Sequence, residues 1–311
     1  MRYKRLLNAT FVAVAAVISA FVGRHLLRSG WPLHHANLWL VGLAAFLLLC
    51  AYAAKAWGWR HLFRIGARPA TLTLAAAGGA ASVAGIALPG RFDELVRLAV
   101  VRRCRRGRVS LGAVGLSLFL LGLLDSVALA PFASVAAGIE HVGGWVRAGL
   151  ILVAVAGVAS AAVVLNLPRI ARVPRLSRFR LAGWVAEHAA PRREAVWAWS
   201  GVALSWTFRA LAVFVLLAAL GLGTDFAAAL GFLCASSASA ALPIAPAGAA
   251  TQAGAGAAIL IASGMHAESA LAFGVASQGL GILTGAVFVL ALGAWHAQGR
   301  LPRLGRRLLP G

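Results

Sequence analysis

Two charged side chains fall where the sequence offers them no water: Asp125, well inside the apolar segment 109–132, and Arg209, near the middle of 197–220. Placing such a charge at the centre of a bilayer costs roughly 2.5–3.5 kcal/mol even on the lenient insertion scale. Opposite charges on two helices of one bundle lower each other's cost, so Asp125 and Arg209 are expected to face the interior and to pair. The pair then either fixes packing as a buried ion pair, or leaves Arg209 to offer its planar fork to a lipid phosphate. A second cluster, Arg91, Asp93, Glu94 and Arg97, follows directly on Pro89-Gly90. On a helix Glu94 and Arg97 are three apart on one face, while Leu95, Leu98, Ala99 and Val101 supply apolar surface. This is either an interfacial helix with its charges in water, or the polar mouth, formed by Arg91, Glu94 and Arg97, through which a headgroup enters.

Hydrolytic, redox and metal chemistry find no support in the sequence. The eight histidines form no HExxH pair, and the adjacent His34 and His35 suit a solvated loop better than a metal site. No phosphate-cradling loop, nucleophile elbow or zinc spacing occurs. No catalytic residue, metal or cofactor is therefore expected. Cys50, Cys104 and Cys234 cannot close a disulfide framework and read as structural thiols. The glycines from Gly248 to Gly256, and the GxxxG at Gly281 and Gly285, read as close helix packing.

The elements that hold these residues follow from composition. In 311 residues, 61% are hydrophobic and 12% charged, with a mean hydropathy of +0.86, which excludes a water-soluble enzyme. Apolar stretches at 6–23, 29–54, 69–90, 109–124, 148–168, 226–267 and 269–299 reach or approach the ~18 residues a spanning helix requires. The formal charge of +21 would suggest nucleic acid in a soluble domain, but here the basic residues sort by loop and no nucleic acid is expected. They collect at 2–5, 55–68, 91–108, 168–193 and 300–307. Since cytoplasmic loops concentrate Lys and Arg, both termini are placed inside.

One segment resists simple crossing. If 69–90 spanned the membrane, the seven arginines at 91–108 would lie outside. The reading that avoids this is a re-entrant hairpin over 69–101, broken at Pro89-Gly90, with 92–101 as its returning arm. Residues 226–267 contain no charged residue and are interrupted at Pro243-Ile244-Ala245-Pro246-Ala247-Gly248. They form a second such hairpin opening to the opposite side, or two short crossings. The expectation is an all-α polytopic membrane protein in a single domain over 1–311. It has about six full spans plus two Pro/Gly-broken hairpins, or eight spans, arranged as an inverted repeat. The first half covers 1–168, a basic loop covers 168–193, the second half covers 194–299, and a basic tail ends the chain. The loop alternates arginines with Leu176, Phe179, Leu181, Trp184 and Val185, as suits a segment lying on an anionic inner leaflet.

Two motifs carry a resemblance. Leu88-Pro89-Gly90-Arg91-Phe92-Asp93-Glu94-Leu95-Val96-Arg97 resembles the first signature of the lysylphosphatidylglycerol synthase transmembrane region, a flippase-like membrane domain also found as stand-alone proteins. The segment Pro243 to Gln252 is similar to its second signature, a Pro-x-x-Pro-Gly-Gly element followed by a glutamate. The resemblance implies a polytopic fold that moves a lipid between leaflets. It points to Pro89, Gly90, Arg91, Glu94 and Arg97, then to Pro243, Pro246 and Gly248. The chain departs from the pattern: Gln252 stands for the glutamate, Ala247 for a glycine, Leu121-Gly122 for a Glu-Arg pair, and Gln278 for a common arginine. Nothing in the sequence is long and polar enough to be the aminoacyl-transfer domain of fused relatives, so the family name is not expected to denote an enzyme here.

Two functions remain. One is a flippase-like transporter in the cell membrane that moves a phospholipid or lipid-linked precursor. Its partners are membrane lipids with anionic headgroups, bound by Arg91, Arg97 and Arg209 with Glu94, Asp125, Gln252 and Gln278 nearby. The other is a non-transporting scaffold for a membrane glycosyltransferase or lipid-modifying enzyme. The first predicts a groove open to lipid, the second a filled core.

Overall fold

A computed structural model describes residues 36–85, 92–104, 109–138, 144–170, 191–240 and 248–298, and among these every regular element is helical. The helices are α1 (Leu38–His61), α2 (Thr71–Ala84), α3 (Phe92–Cys104), α4 (Leu111–Ala137), α5 (Gly144–Ile170), α6 (Arg192–Ala219), α7 (Phe226–Ala240), α8 (Gly248–Ala262) and α9 (Ala267–Gln298). A single 3-10 turn, Ile65–Ala67, joins α1 to α2. Helix starts follow capping chemistry. The Asn37 side chain accepts from the amides of Trp39 and Leu40, Ser110 from Ala113, and Asp225 from Ala227. Gly221 and Gly264, which follow α6 and α8, have φ of +68° and +94°, conformations L side chains rarely adopt.

Five helices, α1, α4, α5, α6 and α9, are long and apolar enough to cross a membrane. The shortest, α1 with 24 residues, reaches about 36 Å, more than the ~30 Å hydrocarbon core. Their outward faces are apolar, as at Ile151, Leu152, Val155 and Val158 on α5 and Leu283, Val287 and Leu290 on α9. Exposed Trp39, Trp145 and Trp295 sit near helix ends, where amphipathic rings favour the headgroup level. The protein is a multi-pass membrane protein.

The four short helices are the arms of two hairpins. The arms α2 and α3 pack against each other, as do α7 and α8. At 13 to 15 residues each, they reach only about 20–22 Å, short of the ~30 Å core. Over the described residues each arm is thus shorter than the hydrocarbon core, unlike the five long helices. The breaks themselves, Pro89-Gly90-Arg91 and Pro243 to Ala247, lie outside the described residues, as do the expected first helix 6–23, residues 171–190 of the basic loop, and the tail.

The halves are related by exchange. Helices α1 and α6 run antiparallel along their whole length. The Asn37 amide at the start of α1 donates to Ala219 O at the end of α6 (2.9 Å), and His61 at the end of α1 meets Glu194 in the first turn of α6. Each is followed by a hairpin whose first arm packs on the long helix of the other half: α2 on α9, α7 on α4. Close approach depends on absent side chains. A Cβ on Gly201 would lie 2.7 Å from Gly58 Cα, and one on Gly79 would lie 2.0 Å from Gly285 O. Gly285 therefore serves packing, as does Gly256, where a Cβ would meet the Phe232 ring at 2.4 Å, whereas a Cβ on Gly281 would meet no heavy atom within 4 Å.

Candidate functional site

The charged centre lies between α1, the α2–α3 hairpin, α4 and α6. Tyr52, Lys55, Ala56 and Trp59 repeat at helical spacing on α1 and line a common cavity with Gly78 and Ser82 of α2, Arg97 of α3, Leu121 of α4 and Arg209 of α6. Lys55 belongs to the body of α1, not to a loop beginning at residue 55, because the helix continues to His61. This alters the expected pairing. Lys55 Nζ donates to Asp125 Oδ2 at 2.7 Å, and Trp206 Nε1 donates to Asp125 Oδ1 at 2.9 Å. Asp125 does not pair with Arg209. Its two oxygens are taken by Lys55, which the sequence places in a loop, and by the Trp206 indole, to which the sequence assigns no role.

Arg209 is instead held by aromatic faces. Its guanidinium carbon lies 5.2 Å from the Trp206 ring centroid and 5.7 Å from that of Tyr52, within cation–π range. Its Nε is buried and makes no hydrogen bond, and among the described residues no carboxylate pairs with it. Arg97, by contrast, is bonded to Asp93 one turn earlier at 3.1 Å. Glu94 is half-buried on the same helix. Three cations thus face one cavity. Lys55 and Arg97 each have an acid, and Arg209 has none. The cavity is about 40 Å3, enough for ordered water and not for a lipid headgroup. A wider one of about 210 Å3, lined by Leu62, Phe63, Arg64, Val109, Ala113 and Leu116, shares no residue with it.

A polar track leaves this centre toward the second half. The Tyr52 hydroxyl pairs with Ser82 Oγ at 2.5 Å and donates to Gly281 O of α9 at 3.1 Å. One turn earlier on α9, Gln278 Nε2 donates to Gln252 Oε1 of α8 at 3.4 Å, and Ser236 Oγ of α7 donates to Gln252 O at 2.8 Å. The sequence reading singled out Gln252 and Gln278 separately, and the fold brings them together. Arg91, Pro89, Gly90, Pro243 and Pro246 lie outside the described residues, and Gly248 opens α8.

A further cluster lies apart from the charged centre, at a position that sequence spacing does not signal. At the other end of α1, Glu194 accepts from His61 Nδ1 at 2.7 Å and from Arg68 Nη2, and Arg68 Nε donates to Phe63 O at 3.3 Å. Lys55, Tyr52 and Trp206 were the other omissions. Their signal was available: Tyr52, Lys55 and Trp59 follow a 3–4 spacing, and Trp206 precedes Arg209 by one turn. Among the described residues no group of three or more His, Cys, Asp or Glu gathers to hold a metal.

No curated protein and no solved structure matches the chain. The family described as the lysylphosphatidylglycerol synthase TM region matches residues 5–295, nearly the whole sequence and both hairpins included. With that coverage, and with long helices alternating with paired short ones as the two motifs led one to expect, the chain belongs to this family of membrane domains.

Proposed function

We propose that the protein moves a phospholipid or lipid-linked precursor between the leaflets of the cell membrane, with the anionic headgroup held by Arg209, Arg97 and Lys55. The observation that carries this is the Arg209 guanidinium: three cations share one cavity inside the bundle, and among the described residues this one has no acid. A cation so placed is costly in a membrane unless it is used, and arginine binds phosphate through a two-pronged hydrogen bond. The Lys55–Asp125 pair provides an exchangeable partner, since an arriving phosphate competes with Asp125 for Lys55. Glu94 serves the mouth, and Gln252 and Gln278 continue the path. The whole chain acts as one membrane domain with both termini cytoplasmic, which puts the His61–Glu194–Arg68 cluster at the inner face.

One observation favours the second reading, an accessory subunit for a membrane glycosyltransferase or lipid-modifying enzyme: the cavity holds only about 40 Å3. Transport therefore requires the α2–α3 hairpin to move away from α1. Reconstitution into liposomes with fluorescent phospholipids separates the two. Transport predicts that protein accelerates exchange of an anionic lipid between leaflets and that Arg209→Gln and Arg97→Gln slow it. Leaflet distributions equal with and without protein would remove transport and leave the scaffold.

A further inference from the structure

We infer that the cavity beside Arg209 binds a small monovalent inorganic anion, chloride or an ion of its charge and size, and that a lipid phosphate reaches Arg209 only by displacing it. The ion site stands on the cavity alone, and the displacement rests on the headgroup reading above. The charges of the cavity do not cancel. Lys55, Arg97 and Arg209 are in its lining, and Asp93, Glu94 and Asp125 are not. Lys55 is balanced by Asp125 at 2.7 Å and Arg97 by Asp93 at 3.1 Å. Among the described residues no carboxylate pairs with Arg209, so one positive charge is left over inside a spanning helix. The Trp206 and Tyr52 rings, 5.2 and 5.7 Å from its guanidinium carbon, lower the cost of that charge without cancelling it. One anion of single charge completes the balance, and a phosphate or sulfate dianion would overshoot it.

Hydrogen-bonding capacity points the same way. The neutral polar side chains of the lining are already engaged: the Tyr52 hydroxyl donates to Gly281 O, the Ser82 hydroxyl bonds Tyr52, and Trp59 Nε1 donates to Ser117 Oγ at 3.0 Å. The ammonium and the two guanidinium groups can only donate. Arg209 Nε is buried and has no partner. A water molecule there must find acceptors for two hydrogens of its own, whereas chloride only accepts. Size agrees as well. The cavity of about 40 Å3 is larger than the roughly 10–15 Å3 that a single water needs, room enough for an ion slightly bigger than water.

Unfolding midpoints of the full-length protein in detergent, measured in sodium chloride and in sodium gluconate at equal ionic strength, test this. Gluconate carries the same charge and is far too large for the cavity. With chloride at about tenfold its dissociation constant, the wild-type midpoint should lie about 2–4 °C above that in gluconate, and the rise should saturate. Arg209→Gln should abolish the shift, and Arg64→Gln, which removes a cation outside this cavity, should keep it. Where Arg209→Gln does not fold, Gly78→Ala decides in its place. A Cβ there makes ordinary contact with the Tyr52 ring at 3.7 Å and takes room from the cavity, so the same shift should need more chloride. Equal wild-type midpoints in the two salts, or a wild-type response in the deciding variant, overturn the inference and leave the headgroup reading standing. Phosphatidic acid added to the micelles should diminish the chloride shift. A shift that it leaves unchanged overturns the displacement, and with it the lipid phosphate at Arg209, while the chloride site stands.

Discussion

The two hairpins are built alike and furnished differently. Each packs against α9 through glycine: a Cβ on Gly79 of α2 would strike Gly285 O, and one on Gly274 of α9 would lie 2.7 Å from Ala253 O of α8. Around the first hairpin stand Lys55, Arg97, Asp125 and Arg209, whereas Ser236, Gln252 and Gln278 make the side-chain hydrogen bonds between α7, α8 and α9. A repeated framework therefore sets where backbones approach, while the side chains at equivalent depth set what each half can bind. Fold and chemistry are separable here, and experiments can address them one at a time.

The largest effect should come from the shared framework. Gly79→Val forces α2 off α9 and is expected to abolish monodisperse folded protein on size-exclusion chromatography. Gly254→Val, where no heavy atom lies within 4 Å of a new Cβ, should elute as wild type. The charged half comes next. Asp125→Leu strands Lys55 and the Trp206 indole and should destabilise by about 3–5 kcal/mol, read as a lowered unfolding midpoint in detergent. Adding Lys55→Met should recover part of that loss, because no charge is then left alone. Glu194→Gln weakens a cluster that is partly open to its surroundings, and a cost near ~1 kcal/mol is expected. Gln278→Leu should change stability least, by less than ~1 kcal/mol for one long amide hydrogen bond. A Gln278→Leu cost matching that of Asp125→Leu would erase the contrast between the halves.

Long apolar runs made the five spanning helices legible, because twenty apolar residues have few alternatives to crossing a bilayer. The hairpin over 69–101 was readable from a conflict: its arginines would otherwise have been placed outside. Pairing was less legible. Asp125 and Arg209 attract attention as isolated charges, but Lys55 sits among arginines near a helix end, so hydropathy places it in a loop. Only the extension of α1 to His61 puts Lys55 one turn past Tyr52 and opposite Asp125. Likewise Trp206 reads as a membrane aromatic until its N–H is seen to occupy the second carboxylate oxygen. Gln252 and Gln278 are 26 residues apart and on different helices, and no local periodicity joins them. Helix lengths are local properties of the chain, whereas partners depend on which faces meet.

The central claim is that a lipid headgroup enters the cavity around Arg209. Photo-crosslinking with phosphatidylglycerol carrying a diazirine next to its phosphate, followed by peptide mapping, tests it most directly. Adducts are expected on the two turns from Tyr52 to Trp59 of α1 and on Gly78 to Ser82 of α2, and they should be lost in Arg209→Gln. Adducts confined to the outward faces of α5 and α9, at residues such as Ile151, Leu152 and Leu290, and unchanged by Arg209→Gln, would contradict it.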